Sequence, residues 1–75
     1  MKLDEFVKGF AEQFDDTDPE EIQANTVFHE LEEWSSLIGM AVIAFVKTSM
    51  RKTIDSKELK ACVTVEDVYN LVMNK

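Results

Sequence analysis

The segment Leu37-Ile38-Gly39-Met40-Ala41-Val42-Ile43-Ala44-Phe45-Val46 carries no charged residue and directly follows two serines. It is the most hydrophobic helix candidate in the chain. The uncharged run from Ser35 to Val46 is nevertheless shorter than the ~20 residues a membrane span requires, so it reads as a helix of a soluble bundle. The helix is expected to start at Ser35 or Ser36 and to end near Arg51 or Lys52. Serine suits the start, because its oxygen accepts a hydrogen bond from an otherwise unpaired N–H of the first turn. Lys47, Arg51 and Lys52 complement the helix dipole at the far end. A helix apolar almost all round, on the outside of a small bundle, leaves greasy surface exposed.

Ahead of this segment, Leu3, Phe6, Val7, Phe10 and Phe14 recur at helical spacing, which predicts an amphipathic helix of about 12 residues. Asp15-Asp16-Thr17-Asp18-Pro19 ends it. Asp18 then stands as an N-cap, with Pro19 at the first helical position and Glu21 three residues after the cap, opening a short helix or single turn through Ile22. From Gln23 to Ser35 the pattern is irregular. Val27, Phe28 and Leu31 are spaced to pin one turn onto a core, while Glu30, Glu32 and Glu33 stay in water. Beyond the central helix, Asp55-Ser56-Lys57-Glu58 has capping-box spacing and opens a short helix through about Lys60 or Ala61. Thr64-Val65-Glu66-Asp67 opens the last helix, on which Val65, Val68, Tyr69 and Val72 share one face. No stretch alternates with period two for long enough to be a strand. Residues 1–75 are therefore expected to form one all-α domain, a small antiparallel bundle of three main helices plus one or two short ones.

A chain of 75 residues buries only about 60% of its unfolded surface, which makes a deep catalytic cleft improbable. The single cysteine, Cys62, reads as a small buried hydrophobe, and a chain without disulfides fits a reducing compartment. Acids at Asp4 and Glu5 stand where a signal peptide needs apolar residues, so a cytoplasmic location is expected. Charge is unevenly divided, with a balance of −9 before Ser36 and +2 after it, making up the net −7. Such a chain is repelled by phosphate backbones, which argues against nucleic acid and for partners that carry basic patches. Asp16, Asp18 and Glu20 hint at a calcium loop, but Glu21 stands where glycine is needed and Val27 where the bidentate acid belongs. His29, the only histidine, reads as a surface residue, Met40, Met50 and Met73 as core or groove filling, and Trp34 as packing for the loop. No metal set and no catalytic constellation is visible, so enzymatic activity is not expected.

The order of elements, with Trp34-Ser35-Ser36-Leu37 near the middle, resembles the acyl carrier protein family. The resemblance spans essentially the whole chain and includes Ile54-Asp55-Ser56-Lys57-Glu58-Leu59 and Val63-Thr64-Val65-Glu66-Asp67-Val68. It implies that Ser36 is esterified by 4'-phosphopantetheine, transferred from coenzyme A by a phosphopantetheinyl transferase. The thiol of that arm would hold a fatty acyl, polyketide or aminoacyl group as a thioester. Leu37 would be the adjacent docking residue, with Ile38, Met40 and Ala41 completing the docking face, and Ser35 takes the place of the aspartate of the family's motif. The implied partners are the transferase, an acyl- or aminoacyl-loading ligase and downstream synthase or transferase enzymes, met by a monomeric carrier of the stand-alone type found in specialised pathways. Family members commonly carry acids along the second helix, where this chain has Ile38, Ala41, Lys47 and Thr48, which points to a dedicated partner with a hydrophobic face. The alternative from another class is a carrier-like interaction module that is never modified and docks through the same apolar helix.

Overall fold

Four α-helices form in the computed structural model, which describes residues 1–75: α1 (Leu3–Ala11), α2 (Ser36–Met50), α3 (Ser56–Ala61) and α4 (Val65–Met73). Two 3₁₀ turns, Pro19–Glu21 and Phe28–Glu30, punctuate the long connection between α1 and α2. No helix is long and apolar enough to cross a membrane. The expected all-α bundle of three main helices and short extra ones is what forms, with α1, α2 and α4 as the main helices.

The apolar faces meet in one core that includes Phe6, Phe10, Phe28, Val42, Val46, Ile54, Val65, Val68 and Val72, and it contains no polar or charged residue. Burial of side chains of this size contributes about 1.5–3 kcal/mol each. Ring contacts give the helix directions. Phe6, near the start of α1, lies 5.6 Å from Phe45 in the second half of α2. Phe10, near the end of α1, lies 6.5 Å from Trp34, just ahead of α2. The two helices are therefore antiparallel. Tyr69 of α4 donates a 2.7 Å hydrogen bond to the carbonyl of Met1, while the start of α4 is joined to the long connection, so α1 is antiparallel to α4 as well.

Helix ends follow local chemistry. Helix α1 closes at Ala11, short of the expected length, because the chain tightens there. Gln13 N–H donates to the Phe10 carbonyl and Phe14 N–H to that of Ala11, both at 3.1 Å. These i→i+3 bonds turn the backbone yet still deliver Phe14 to the core. Helix α2 ends at Met50 because Arg51 adopts the left-handed conformation (φ 58°), a position that usually favours glycine. Asp55 and Thr64 cap α3 and α4 in reciprocal capping boxes, as their spacing predicts.

The long connection is tied down at its middle. Val65 N–H donates to the Thr26 carbonyl (3.2 Å) and Glu66 N–H to that of Ala24 (2.9 Å), so loop carbonyls satisfy two first-turn donors of α4. Ile22 and Phe28 anchor the same segment in the core. Of the methionines expected to fill core or groove, Met50 packs against the core, Met73 lines a surface groove beside it, and Met40 is exposed on the outward side of α2.

Gly9 makes room for the Phe45 ring of α2, since a Cβ there would overlap it. That ring is held by Phe6 and cannot swing away freely. For Gly9→Ala, a helix-propensity gain of about 1 kcal/mol opposes an overpacking cost of about 1–3 kcal/mol. The variant is expected to be less stable by roughly 1 kcal/mol in urea denaturation, and adding Phe45→Leu should recover part of the loss.

Candidate functional site

The two serines at the loop–helix junction have separate roles. Ser35 is extended (φ −155°, ψ 173°) and caps α2: its Oγ accepts from Ile38 N–H at 3.4 Å, and its carbonyl accepts from Gly39 N–H at 2.9 Å. Ser36 is the first helical residue. Its side chain is exposed, and its hydroxyl makes no hydrogen bond within the protein. The backbone N–H groups of Ser36 and Leu37 likewise find no acceptor in the chain. An unused hydroxyl thus stands beside two unused donors at the positive end of a helix 15 residues long.

Helical spacing arranges the exposed side of α2. Ser36, Met40, Ala44 and Lys47 line up along it, with Leu37 and Thr48 beside them and Arg51 at the end. Leu37 is 75% and Met40 67% exposed, so two large apolar side chains flank the free hydroxyl. Ala41 is half-buried at the edge of this face. Ile38 corrects the expectation for the docking surface. It is only 7% exposed and belongs to the core, because it sits on the opposite side of the helix from Met40 and shares the inward row of Val42. The face available to a partner is therefore Leu37 and Met40, with Ala41 at its margin.

Behind the site, Trp34 fixes the approach of the chain. Its ring stacks on Phe10 with planes 1° apart, and meets Phe28 edge-on at 4.8 Å. Gly39 lies beside it, where a Cβ would stand in ordinary van der Waals contact, 3.5 Å from the indole. His29 is not a free surface group. Its ring lies 4.2 Å from that of Phe28, and its Nε2 is 3.1 Å from the Cys62 carbonyl, which can only accept, so the proton is on Nε2. It joins the loop to the α3–α4 link.

Glu33 has a structural role that its sequence context does not reveal. Its carboxylate accepts from the N–H groups of Asp15 (2.7 Å) and Asp16 (2.9 Å) and from the Thr17 hydroxyl (2.7 Å). Desolvation pushes its pKa up, but these hydrogen bonds together outweigh that effect and hold the carboxyl below its ordinary value. Only the free donors after α1 could have signalled this pairing, and they lie 16 to 18 residues away in the chain. Asp67 is also lowered, by hydrogen bonds from the Thr64 and Val63 backbone. Burial pushes the pKa of the Cys62 thiol up, and Asp67 and Glu58 add to that, an environment that disfavours the thiolate. Of the three acids that hint at a cation loop, Asp18 has its carboxylate on Glu20 N–H as a cap, and no group of three or more His, Cys, Asp or Glu side chains is placed to hold a metal ion.

No acid or base is hydrogen-bonded to Ser36, so the chain does not activate its hydroxyl. The arrangement can present that hydroxyl to an external catalyst, and its free N–H groups favour a negative charge placed there.

The division of labour between the serines predicts unequal substitutions. Ser35→Ala should lower stability by about 0.5–1 kcal/mol, while Ser36→Ala should leave it unchanged within error, as read from urea midpoints. Glu33 gives a pH dependence. Its folded-state pKa is depressed, so the unfolded chain binds the proton more readily. The stabilisation it supplies is present above the ordinary carboxylate range and is lost as pH falls through the lowered folded value. Glu33→Gln should be less stable than the native chain at neutral pH, and the gap should narrow in acid.

Compared with family models, with curated proteins and with solved structures, the chain matches none.

Proposed function

We propose that this protein is a carrier on which Ser36 is esterified by 4'-phosphopantetheine, and that it presents thioester-bound acyl, polyketide or aminoacyl intermediates to separate enzymes. The observation that carries the reading is that Ser35 caps α2 and Ser36 is left exposed with an uncommitted hydroxyl. The site also fits the group. The Ser36 and Leu37 N–H groups are free to donate to a phosphodiester, and no acid occurs between Trp34 and Ile54 to repel it. When attached, the arm supplies a thiol on a long tether.

Everything else falls to the residues of the chain. Ser35 holds the helix start, Trp34 keeps the junction against α1, and Leu37 and Met40 offer apolar contact beside the attachment point. The chain itself performs no catalysis in this reading. A phosphopantetheinyl transferase supplies the activation of the hydroxyl, a ligase loads the cargo, and synthases or transferases consume it. The protein acts as a cytoplasmic monomer. A second reading, an unmodified module that docks through α2, is favoured by the exposure of Leu37 and Met40, which needs no prosthetic arm to bind a partner.

Intact mass before and after incubation with coenzyme A and a phosphopantetheinyl transferase separates the two. The carrier reading expects a gain of one phosphopantetheine that persists in Ser35→Ala and vanishes in Ser36→Ala. No gain with either a broad-specificity or a cognate transferase leaves the interaction module.

A further inference from the structure

We propose that the α2 face docks a partner protein whose surface is acidic beside an apolar pocket, the reverse of the partner that the chain's overall charge suggests. The proposal deepens the carrier reading, which explains why a partner must approach Ser36, but its charge argument stands on the surface itself.

The net charge of −7 favours basic partners, but the charges are segregated. Eleven of the acids precede Trp34, and the next acid in the chain is Asp55. Helix α2 therefore has no acid at all, while Lys47 and Arg51 stand exposed at the far end of the stripe that begins with Ser36, Leu37 and Met40. Helix α3 extends the same sign. It packs on α2, with Leu59 Cδ2 placed 3.6 Å from where a Gly39 Cβ would be, and it exposes Lys57 and Lys60. Of the acids on α3 and its cap, Glu58 is neutralised by an ion pair and Asp55 is turned onto the helix start. Glu58 accepts from Asp55 N–H and pairs with Lys75 at 2.9 Å, and the Asp55 carboxylate accepts from Glu58 N–H at 2.7 Å. Lys47, Arg51, Lys57 and Lys60 have no ion pair.

Distance decides which charges a partner on this face senses. The molecule measures 29 × 23 × 20 Å, so acids on its far side lie beyond the screening length of about 8 Å at physiological ionic strength. Glu30 and Glu32, exposed in the loop just ahead of Ser36, give the surface a direction: acidic at the loop, apolar at Leu37 and Met40, basic at Lys47 and Arg51. A partner complementary to that order carries its acids against the end of α2 and its apolar pocket against the start. A uniformly basic docking patch would meet Lys47 and Arg51 with like charge, which disfavours the encounter.

The test uses the Ser36→Ala chain, which cannot be modified, so its result is independent of the mass experiment. The isotopically labelled protein is titrated with two synthetic amphipathic helical peptides that share one Leu/Phe stripe, flanked by Glu in one and by Lys in the other. The acidic peptide is expected to shift amide resonances from Leu37 to Arg51, to bind at least about tenfold more tightly than the basic one, and to weaken as salt is added. Lys47→Glu combined with Arg51→Glu should reverse the preference. Lys57→Glu combined with Lys60→Glu, on a different helix, should reduce it if the first pair impairs folding. Equal binding, preference for the basic peptide, shifts confined to the long connection, or binding only to vesicles of anionic lipid would each overturn the proposal.

Discussion

Phe10 lies where α1, the long connection and the start of α2 converge. Its ring is 6.0 Å from Phe14, 5.4 Å from Phe28 and stacked on Trp34, so one α1 side chain meets the start, the middle and the end of the long connection. Aromatic pairs of this kind contribute about 0.5–1.5 kcal/mol beyond the area they bury. That matters most for the connection between α1 and α2, where ordering each backbone residue costs about 1–2 kcal/mol and few bonds of regular structure offset it. Phe14, Ile22, Phe28 and Trp34 are the anchors that keep it in place. Since Trp34 leads directly into Ser35, the position of the free Ser36 hydroxyl depends on the same cluster.

Polar groups complete what the rings begin. Glu33 gathers the free donors that follow α1, while Thr26 and Ala24 lend carbonyls to the first turn of α4. No buried side-chain nitrogen or oxygen lacks a partner. The connection is thus held at its start, middle and end by three kinds of contact, which is why an irregular segment can present a helix start in one orientation. At the surface, the start of α2 leaves the Ser36 hydroxyl and the Ser36 and Leu37 N–H groups free, as the start of α3 does at Ser56 and Lys57.

The chain separates its charge along the same boundary. Residues ahead of Ser36 supply the acids that solvate and tie the loop; residues after it supply an apolar and basic surface. A net charge alone would misdirect any search for partners, because screening limits what a partner senses to the face it approaches. The carrier proposal and the docking proposal meet at this surface, the first resting on Ser36 and the second on Lys47 and Arg51.

Helix positions, the caps at Asp18, Asp55 and Thr64 and the all-α bundle were legible in the residues, because periodicity and capping are properties of short windows. The apolar character of α2 was legible too, but not which of its residues faced outward. Ile38 and Met40 are both large and apolar, and only packing against α1 and α3 shows that the first is core and the second surface. The length of α1 was overestimated because Phe14 keeps the helical rhythm while the backbone has already turned. Local sequence was enough to set the elements, their ends to within a turn, and the serine pair at the start of an apolar helix. Tertiary structure alone decided that Ser35 takes the cap and Ser36 stays free, that Glu33 serves a loop 16 to 18 residues away, and that His29 joins the loop to the α3–α4 link. Those outcomes depend on which groups are brought together across long separations, and no local window contains that information.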